Sequence, residues 1–347
     1  MKNKGEGAKT IATIAQECGV SAMTVSRALR SNAAVKEETR ARIVAAAERL
    51  GYIRSPRMGR PATPLHSTRL KVQLIVGTLG PRLPISDSSL LVSLEQRLAE
   101  RGHECVIRTC TGDYAQFLTL LENIRHSDAD ATMLLGSLVP EQLRALLEAL
   151  PRAVLLDNPG DPSIGTRYCS FAFDNVEASR IAVRHLLACG RRKILLAGGV
   201  RGHFFTNEIE QGYRETLACH KTAVDEDFIL HTDYSADSAY QEVSAALKRG
   251  LTFDAVFTND EMASGVYRAL LERGMTIPGD VAVCGCDGLS VGMHLFPRLT
   301  TVRLDYEELA TMAIRHILEN EGAAHAHYHV RIIPVLEVRE STVCPKK

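Results

Sequence analysis

No apolar run in this 347-residue chain is long enough to cross a bilayer, which in a helix takes about 20 consecutive apolar residues. The basic opening MKNKGEGAKT is followed by no apolar signal core, so the expected location is the cytoplasm, with no membrane partner. The nine cysteines are odd in number and form no C-x-x-C pair, which removes the spacing of a disulfide framework or a zinc site. Most are expected to act as small buried hydrophobes. Cys284 and Cys286, in VAVCGCDG, fall on one side of a strand, and for them a redox or metal role stands as the alternative. Also missing are G-x-S-x-G, a P-loop, H-E-x-x-H and a dinucleotide fingerprint. The chain is therefore read as no enzyme, with no cofactor and no resident metal. The run HAHYH, residues 325–329, puts three histidines on one side of an extended segment; a surface loop and a transition-metal site are its two readings.

Net charge is absent too, since 41 Lys+Arg balance 41 Asp+Glu. The balance is uneven along the chain. Residues 1–69 hold 13 Lys+Arg against 5 Asp+Glu, a net of +8, and the remaining 28 against 36 leave −8 for residues 70–347. A basic head on an acidic body suggests that the head alone meets a polyanion. A solvated basic tail is the alternative, and whether the head folds decides between them. In TIATIAQECGVSAMTVSRALR, Thr10 can cap a first helix carrying Ile11, Ile14 and Ala15, and Gly19 ends it. Val20 plugs the turn, Ser21 caps a second helix, and Val25 and Leu29 face inward four residues apart. A third helix is expected over about 37–50, with Ile43, Ala47 and Leu50 on one face and Gly51 as its stop. Helices this short fold only by pooling their apolar stripes in one core. The outer face of the second helix, with Ala22, Met23, Ser26 and Arg27, then has the arrangement of a helix-turn-helix, whose second helix enters the major groove.

The run TIATIAQECGVSAMTVSRAL…VKEETRARIVAAAERLGYIRS resembles the DNA-binding head of the lactose-repressor/galactose-repressor (LacI/GalR) family of bacterial transcription regulators. The matching elements are the A-x-x-x-G-V-S turn, the T-V-S-R helix, the E-E-T-R start of helix three and L-G-Y at its end. Lys36 departs from the pattern, standing where the family has a capping Ser or Thr. The resemblance puts Thr10, Ser26, Arg30 and Tyr52 at the DNA. The hydroxyls of Ser21 and Thr24 suit phosphate oxygens, and Arg27 can donate two hydrogen bonds to a guanine edge. Ala22 and Met23, at the family's main base-reading positions, can meet only thymine methyls or other apolar edges. For Met23, packing against a neighbouring helix is the alternative.

The next stretch, SPRMGRPATP at 55–64, sets three prolines and one glycine among two arginines, which makes a full helix costly. In the family this connector folds into a short helix on DNA and inserts an apolar residue into the minor groove. Here Pro61 holds that position. Arg57, Met58 and Arg60 are expected instead to form an extended arm ordered by DNA, because a narrow A·T groove attracts Arg and Met can wedge between base steps. An inert tether is the other reading.

From Lys71 onward, runs such as VQLIVG, ECVIRT, ATMLLG, RAVLLD, KILLAG, DAVFTND and VAVCGCD alternate with amphipathic segments such as SLLVSLEQRLAERG. That alternation is the signature of parallel sheets in an α/β fold. Ligands in such folds bind beyond the carboxyl ends of the strands. Asp157, Asn259, Asp260 and Asp287 follow strands, while Asp174 and Asn175 open a helix. Through to its C-terminal LEVRES, this body resembles the two-lobed sugar-sensing core of the same family, similar to periplasmic sugar-binding proteins. The resemblance implies that Asp157, Asn259 and Asp287 hold ligand hydroxyls, a task for groups that take two hydroxyls at once, and it puts Ser86 and Tyr306 at the effector too. Asp174, Asn175 and Asp260 are expected to be helix caps. Two positions depart. EIEQGY has Ile209 where the family places an Arg, and TTVRLDY has Leu304 where it often has Gln, so a less polar pocket is expected. GGVRGHF offers Arg201 and His203 on a Gly-rich loop before a helix, where an anion can dock or solvent covers them.

The expected fold class is α/β. A small all-α helix-turn-helix head (1–54) and a basic Pro/Gly-containing hinge (55–69) precede a two-lobed, periplasmic-binding-protein-like (type I) core of parallel sheets flanked by helices (70–347). The core is expected to bind an effector and to dimerise. The expected function is a sequence-specific DNA-binding transcription regulator, a repressor, controlled by a small-molecule effector such as a sugar or sugar derivative. A regulator of a phosphorylated or acidic metabolite and a transport-type solute-binding protein are the competing readings. A single head reads few base pairs, so a homodimer on near-palindromic double-stranded operator DNA is expected. The tail ESTVCPKK is too short for the coiled coil that makes some relatives of the family tetrameric.

Overall fold

The computed structural model describes residues 11–21, 24–25, 28, 37–49, 69–78, 84–150, 152–160, 168–319 and 327–343. Contacts divide the chain into Met1–Thr68 and Arg69–Lys347. In the first unit, α1 (Ile11–Cys18) ends at Gly19, whose φ of +63° is unstrained only without a Cβ. The Val20 N–H turns back to the Ala15 carbonyl at 3.0 Å, closing the helix end. Ser21 Oγ accepts from the Thr24 N–H at 3.1 Å, an N-cap geometry, and Thr24, Val25 and Ala28 are helical. The unit's last helix is α2 (Glu37–Arg49). Ile14, Ala15, Cys18, Val25, Ala28, Ile43, Ala46 and Ala47 share one core, with Val20 packed against it. Arg42 of α2 donates to the Cys18 carbonyl at 3.0 Å, supplying a cation to a carbonyl that α1 leaves unpaired.

The second unit is built on two six-stranded sheets. The first contains β1 (Lys71–Thr78), β2 (Glu104–Thr111), β3 (Ala131–Gly136), β4 (Val154–Leu156), β5 (Cys169–Phe173) and the late strand β11 (His329–Ile332). Its order is β11-β5-β4-β3-β1-β2 and every pairing is parallel. The second contains β6 (Ile194–Gly198), β7 (Ile229–His231), β8 (Ala255–Phe257), β9 (Ala282–Asp287), β10 (Thr300–Arg303) and β12 (Val335–Glu337). Its order is β12-β10-β9-β8-β6-β7, with only β12 antiparallel.

Parallel strands need long crossovers, and helices supply them. Sheets covered on both faces read as continuous apolar runs, and β1 is buried throughout 72–77. Leu74 and Val76 enter one apolar cluster and Ile75 another. On β6, Ile194 and Leu196 likewise part from Leu195 and Ala197. The edge strand β2 instead alternates and exposes Ile107. The helices are α3 (Ile85–Glu100), α4 (Tyr114–Arg125), α5 (Pro140–Ala149), α6 (Asn175–Ala188), α7 (Phe204–Cys219), α8 (Ala236–Lys248), α9 (Asp260–Leu271), α10 (Val291–His294) and α11 (Tyr306–Glu319). Among the described residues no helix is long and apolar enough to cross a membrane.

The chain passes between the sheets three times. Helix α6 follows β5 of the first sheet yet packs on β8, β9, β10 and β12 of the second, and α11 follows β10 yet packs on β4, β5 and α3. Strands β11 and β12 lie in different sheets with Ile333 and Pro334 between them. Glu208 of α7 pins this region by accepting from Asn175 at 2.8 Å and from Arg331 at 2.8 Å. A Cβ at position 212 would lie 2.3 Å from the Val176 carbonyl, so Gly212 is what lets α7 cross α6 this closely.

Candidate functional site

The two sheets face one cleft at the carboxyl ends of their strands. One wall carries Pro84, Ser86 and Asp87 at the start of α3, Gly136 and Ser137 at the end of β3, and Asp157 just after β4. The other carries His203, Phe204 and Phe205 at the start of α7, Tyr234 after β7, Asn259 and Glu261 around the start of α9, and Asp287 ending β9. Leu304 and Tyr306 reach the cleft from the crossover before α11. The cleft encloses about 650 Å³, its open mouth included. Asp157 and Asp287 both stand at positive φ, +48° and +112°. The first lies in the small left-handed region that Asp tolerates. The second is strained for any side chain, a condition that concentrates at binding sites.

The electrostatics are one-sided. Burial pushes the Asp87 carboxyl up to about 7. Its place in the first turn of α3 favours an anion, and burial outweighs that. Asp157 is held well above the ordinary carboxylate range by burial and then by the charge of Asp87. For Asp287 burial again comes first, followed by Asp260, Asp157 and Asp87. Among the described residues no Lys or Arg lines the cleft. His203 supplies no charge either, because burial lowers it to about 4. Its Nε2 pairs with Ser137 Oγ across the cleft at 2.9 Å, and its Nδ1 pairs with Tyr234 Oη at 2.9 Å. Tyr234 Oη in turn meets Thr206 Oγ1 at 2.7 Å.

The structure thus brings Ser86, Asp157, His203, Asn259, Asp287 and Tyr306 to one place, with Leu304 beside them. It does not bring Arg201, which is exposed. Ile209 belongs to the core and lines a smaller adjoining cavity with Leu196, Phe257 and Met262. Of the GGVRGHF loop, His203 lines the cleft and the exposed Arg201 does not. The cap assignments also need revision. Asp174 caps α6 by accepting from the Glu177 N–H at 2.9 Å, but Asn175 donates to Glu208 instead. Asn259, expected only as a ligand contact, is itself the cap of α9, accepting from the Met262 N–H at 2.8 Å. Asp260 is a buried clamp, accepting from the Leu289 N–H at 2.7 Å and from Thr301 Oγ1 at 2.6 Å. Its folding partners lie far along the chain, which is why local sequence suggested a cap.

Sequence reasoning missed Asp87, Ser137, Tyr234, Glu261 and the Phe204–Phe205 pair. Ser137 and Tyr234 follow β3 and β7, so the rule that found Asp157 reaches them as well. Asp87 carries no such signal, because only the packing of α3 turns it inward. Cys284 and Cys286 are buried in the apolar core, and burial holds both thiols above their ordinary range. His329 Nδ1 pairs with Ser170 Oγ at 2.8 Å, and among the described residues no three His, Cys, Asp or Glu groups are placed to hold a metal ion.

On the head, Ser21 Oγ and Thr24 Oγ1 lie 2.8 Å apart. One hydroxyl hydrogen joins them, which leaves the other free for a phosphate oxygen. Thr10, Ala22, Met23, Ser26, Arg27, Arg30, Lys36 and Tyr52, and the 55–64 connector with Arg57, Met58 and Arg60, lie outside the described residues.

A helix-turn-helix head and a two-lobed cleft on one chain define a DNA-binding regulator controlled by a small molecule. Residues 10–55 match the family of bacterial regulatory proteins of the lacI type, and residues 183–342 match the periplasmic binding protein-like domain. The chain is 31% identical over 345 residues to an uncharacterized HTH-type transcriptional regulator in the aml 5′ region of Streptomyces limosus, covering 96% of this chain and 94% of that protein. It is 26% identical over 313 residues to the HTH-type transcriptional regulator AscG of Escherichia coli K12, covering 89% and 91%. Among solved structures, a transcriptional regulator CelR–cellobiose complex superposes with a TM-score of 0.68 at 26% identity, covering 96% of this chain and 99% of that one. The protein belongs to the LacI family of bacterial transcription regulators.

Proposed function

We propose that this regulator represses transcription from a near-palindromic operator and is controlled by a hydroxyl-rich small molecule bound in the cleft. The observation that carries this is the convergence of Asp157, Asn259, Asp287 and Ser86 on one cleft where, among the described residues, no cationic side chain stands. Carboxylates and amides take adjacent hydroxyls in pairs, whereas a phosphorylated or acidic effector would enter a field of its own sign. The relative whose structure holds cellobiose supports a hydroxyl-rich, sugar-like effector. The action is binding and not catalysis, and its place is the cytoplasm, where the DNA is. The domains are taken as 1–54, 55–69 and 70–347. A ligand panel read by thermal shift tests the effector reading, because a ligand at a hundredfold excess over its Kd stabilises by about 2.7 kcal/mol.

The head is tested through Arg27. Arg27→Ala should weaken specific operator binding by about 1–3 kcal/mol and relax preference at one base pair. Equal loss on every sequence, at fixed salt, would show that Arg27 touches phosphate only.

The protein works as a homodimer. Phe296, just past α10, is 92% exposed, and Met293 of α10 and Leu271 of α9, helices that pack together, are exposed as well. Apolar surface of this kind marks a protein interface. Phe296→Asp should shift sedimentation toward the monomer and weaken operator binding together. A variant that stays dimeric would place the dimer contact elsewhere.

A further inference from the structure

The cleft carries three carboxyl groups, two of them buried, and among the described residues no Lys or Arg lines it. Asp87, Asp157 and Asp287 line it, and His203 has both ring nitrogens engaged. Glu261 accepts from the Ile85 N–H at 3.3 Å, whereas no described group donates to the carboxylates of Asp87 or Asp287. Behind the cleft stand Asp260, which adds negative charge near Asp287, and Glu208 with Arg331, which oppose each other near Asp157. In the ligand-free cleft only bound protons offset these carboxyls, and a neutral polyol would leave them in place. A second observation points to a missing occupant. Tyr306 is nine-tenths buried at the cleft, and its Oη has no hydrogen-bond partner, a deficit that native structures seldom leave unfilled. The facing wall offers the rings of Phe204, Phe205 and Tyr234, and a cation over an aromatic face is attracted to it. Among the described residues the acidic groups are not arranged for a metal ion, which points to an organic nitrogen as the balancing charge.

We propose that the effector is a protonated amine on a small hydroxylated skeleton, its nitrogen among Asp87, Asp157 and Asp287 and its hydroxyls on Ser86, Asn259 and Tyr306. This rests on the reading of the cleft as the effector site. A cation there favours the ionised carboxylates. Binding therefore releases protons, and affinity tightens with pH while the amine stays charged.

The test is calorimetric titration of the full chain with shape-matched probes: glucose and galactose, glucosamine and galactosamine, and the hexose 6-phosphates. An amino sugar should bind on the order of tenfold or more tighter than its neutral counterpart. Its Kd should fall between about pH 5.5 and about pH 7, with protons released. Asp87→Asn should erase most of the amine preference, read as the ratio of amino-sugar to neutral-sugar affinity in the same variant. Neutral sugars binding as tightly as their amines would overturn the amine proposal and leave the sugar-sensing reading standing. Tightest binding by the phosphates would overturn both. Binding by no amine would overturn this proposal.

Discussion

Lowering the pH from about 8 to about 6.5 should raise the melting temperature of the ligand-free protein, opposite to the acid sensitivity of most folds. Asp87 and Asp260 have carboxyls raised to about 7 by burial, and burial raises Asp157 and Asp287 in the same direction. In the unfolded chain each returns to about 3.9. Between those values the folded protein binds protons that the unfolded chain does not. Stability is then fully present below the unfolded value and is lost as pH rises through the folded one. His203 works the other way. Its folded value of about 4 lies below the usual 6.5 or so, so it costs stability as pH falls beneath about 6.5 and offsets one carboxyl there. A shift of about three units caps the contribution of one group at about 4 kcal/mol, and coupling among the carboxyls reduces it. Several degrees of melting temperature are expected. Asp87→Asn should melt above the parent at about pH 8 and converge with it only as pH falls to about 4 or below. A parent that grows more stable from about pH 6.5 to about pH 8 would show that these carboxyls are ionised in the folded state.

Asp287→Ala should abolish the effector response and leave operator affinity intact. Asp287 ends β9 and lines the cleft in a backbone conformation of φ +112°, and among the described residues no group donates to its carboxylate. The head and the cleft belong to separate units of the chain, so loss of the ligand contact need not touch the DNA contact. Asn259→Ala should also lose the response, but with a second effect. It removes the cap of α9, which costs about 1 kcal/mol. Asn259→Asp keeps the cap and separates the two roles, so its stability should match the parent while its response changes. Operator release measured by fluorescence anisotropy reads all three variants. A normal response in both Asp287→Ala and Asn259→Asp would place the effector outside this cleft.

Much of the molecule is set locally and was legible in its residues. Gly19 and Ser21 end one helix and start the next through contacts within a few positions. The apolar runs of β1, β3, β6 and β9 are long because both faces of each sheet are covered, and a run needs no partner to be read. Asp157, Asn259 and Asp287 were found because ligand sites in parallel sheets lie where strands end. Resemblance supplied the family, and the zero net charge split into a basic head and an acidic body on inspection of the residues alone.

Tertiary structure decided what depends on partners far away in sequence. The three passages of the chain between sheets assign α6 and α11 to the lobe opposite the strand each follows. Asp260 became a clamp through Leu289 and Thr301, and Ile209 left the main cleft for the core. Packing buried Asp87 beside two other carboxyls and held His203 neutral between Ser137 and Tyr234. A side chain's charge state depends on its solvent exposure and its neighbours' charges. Both come from contacts across the fold, and residue order specifies them only through the folded whole.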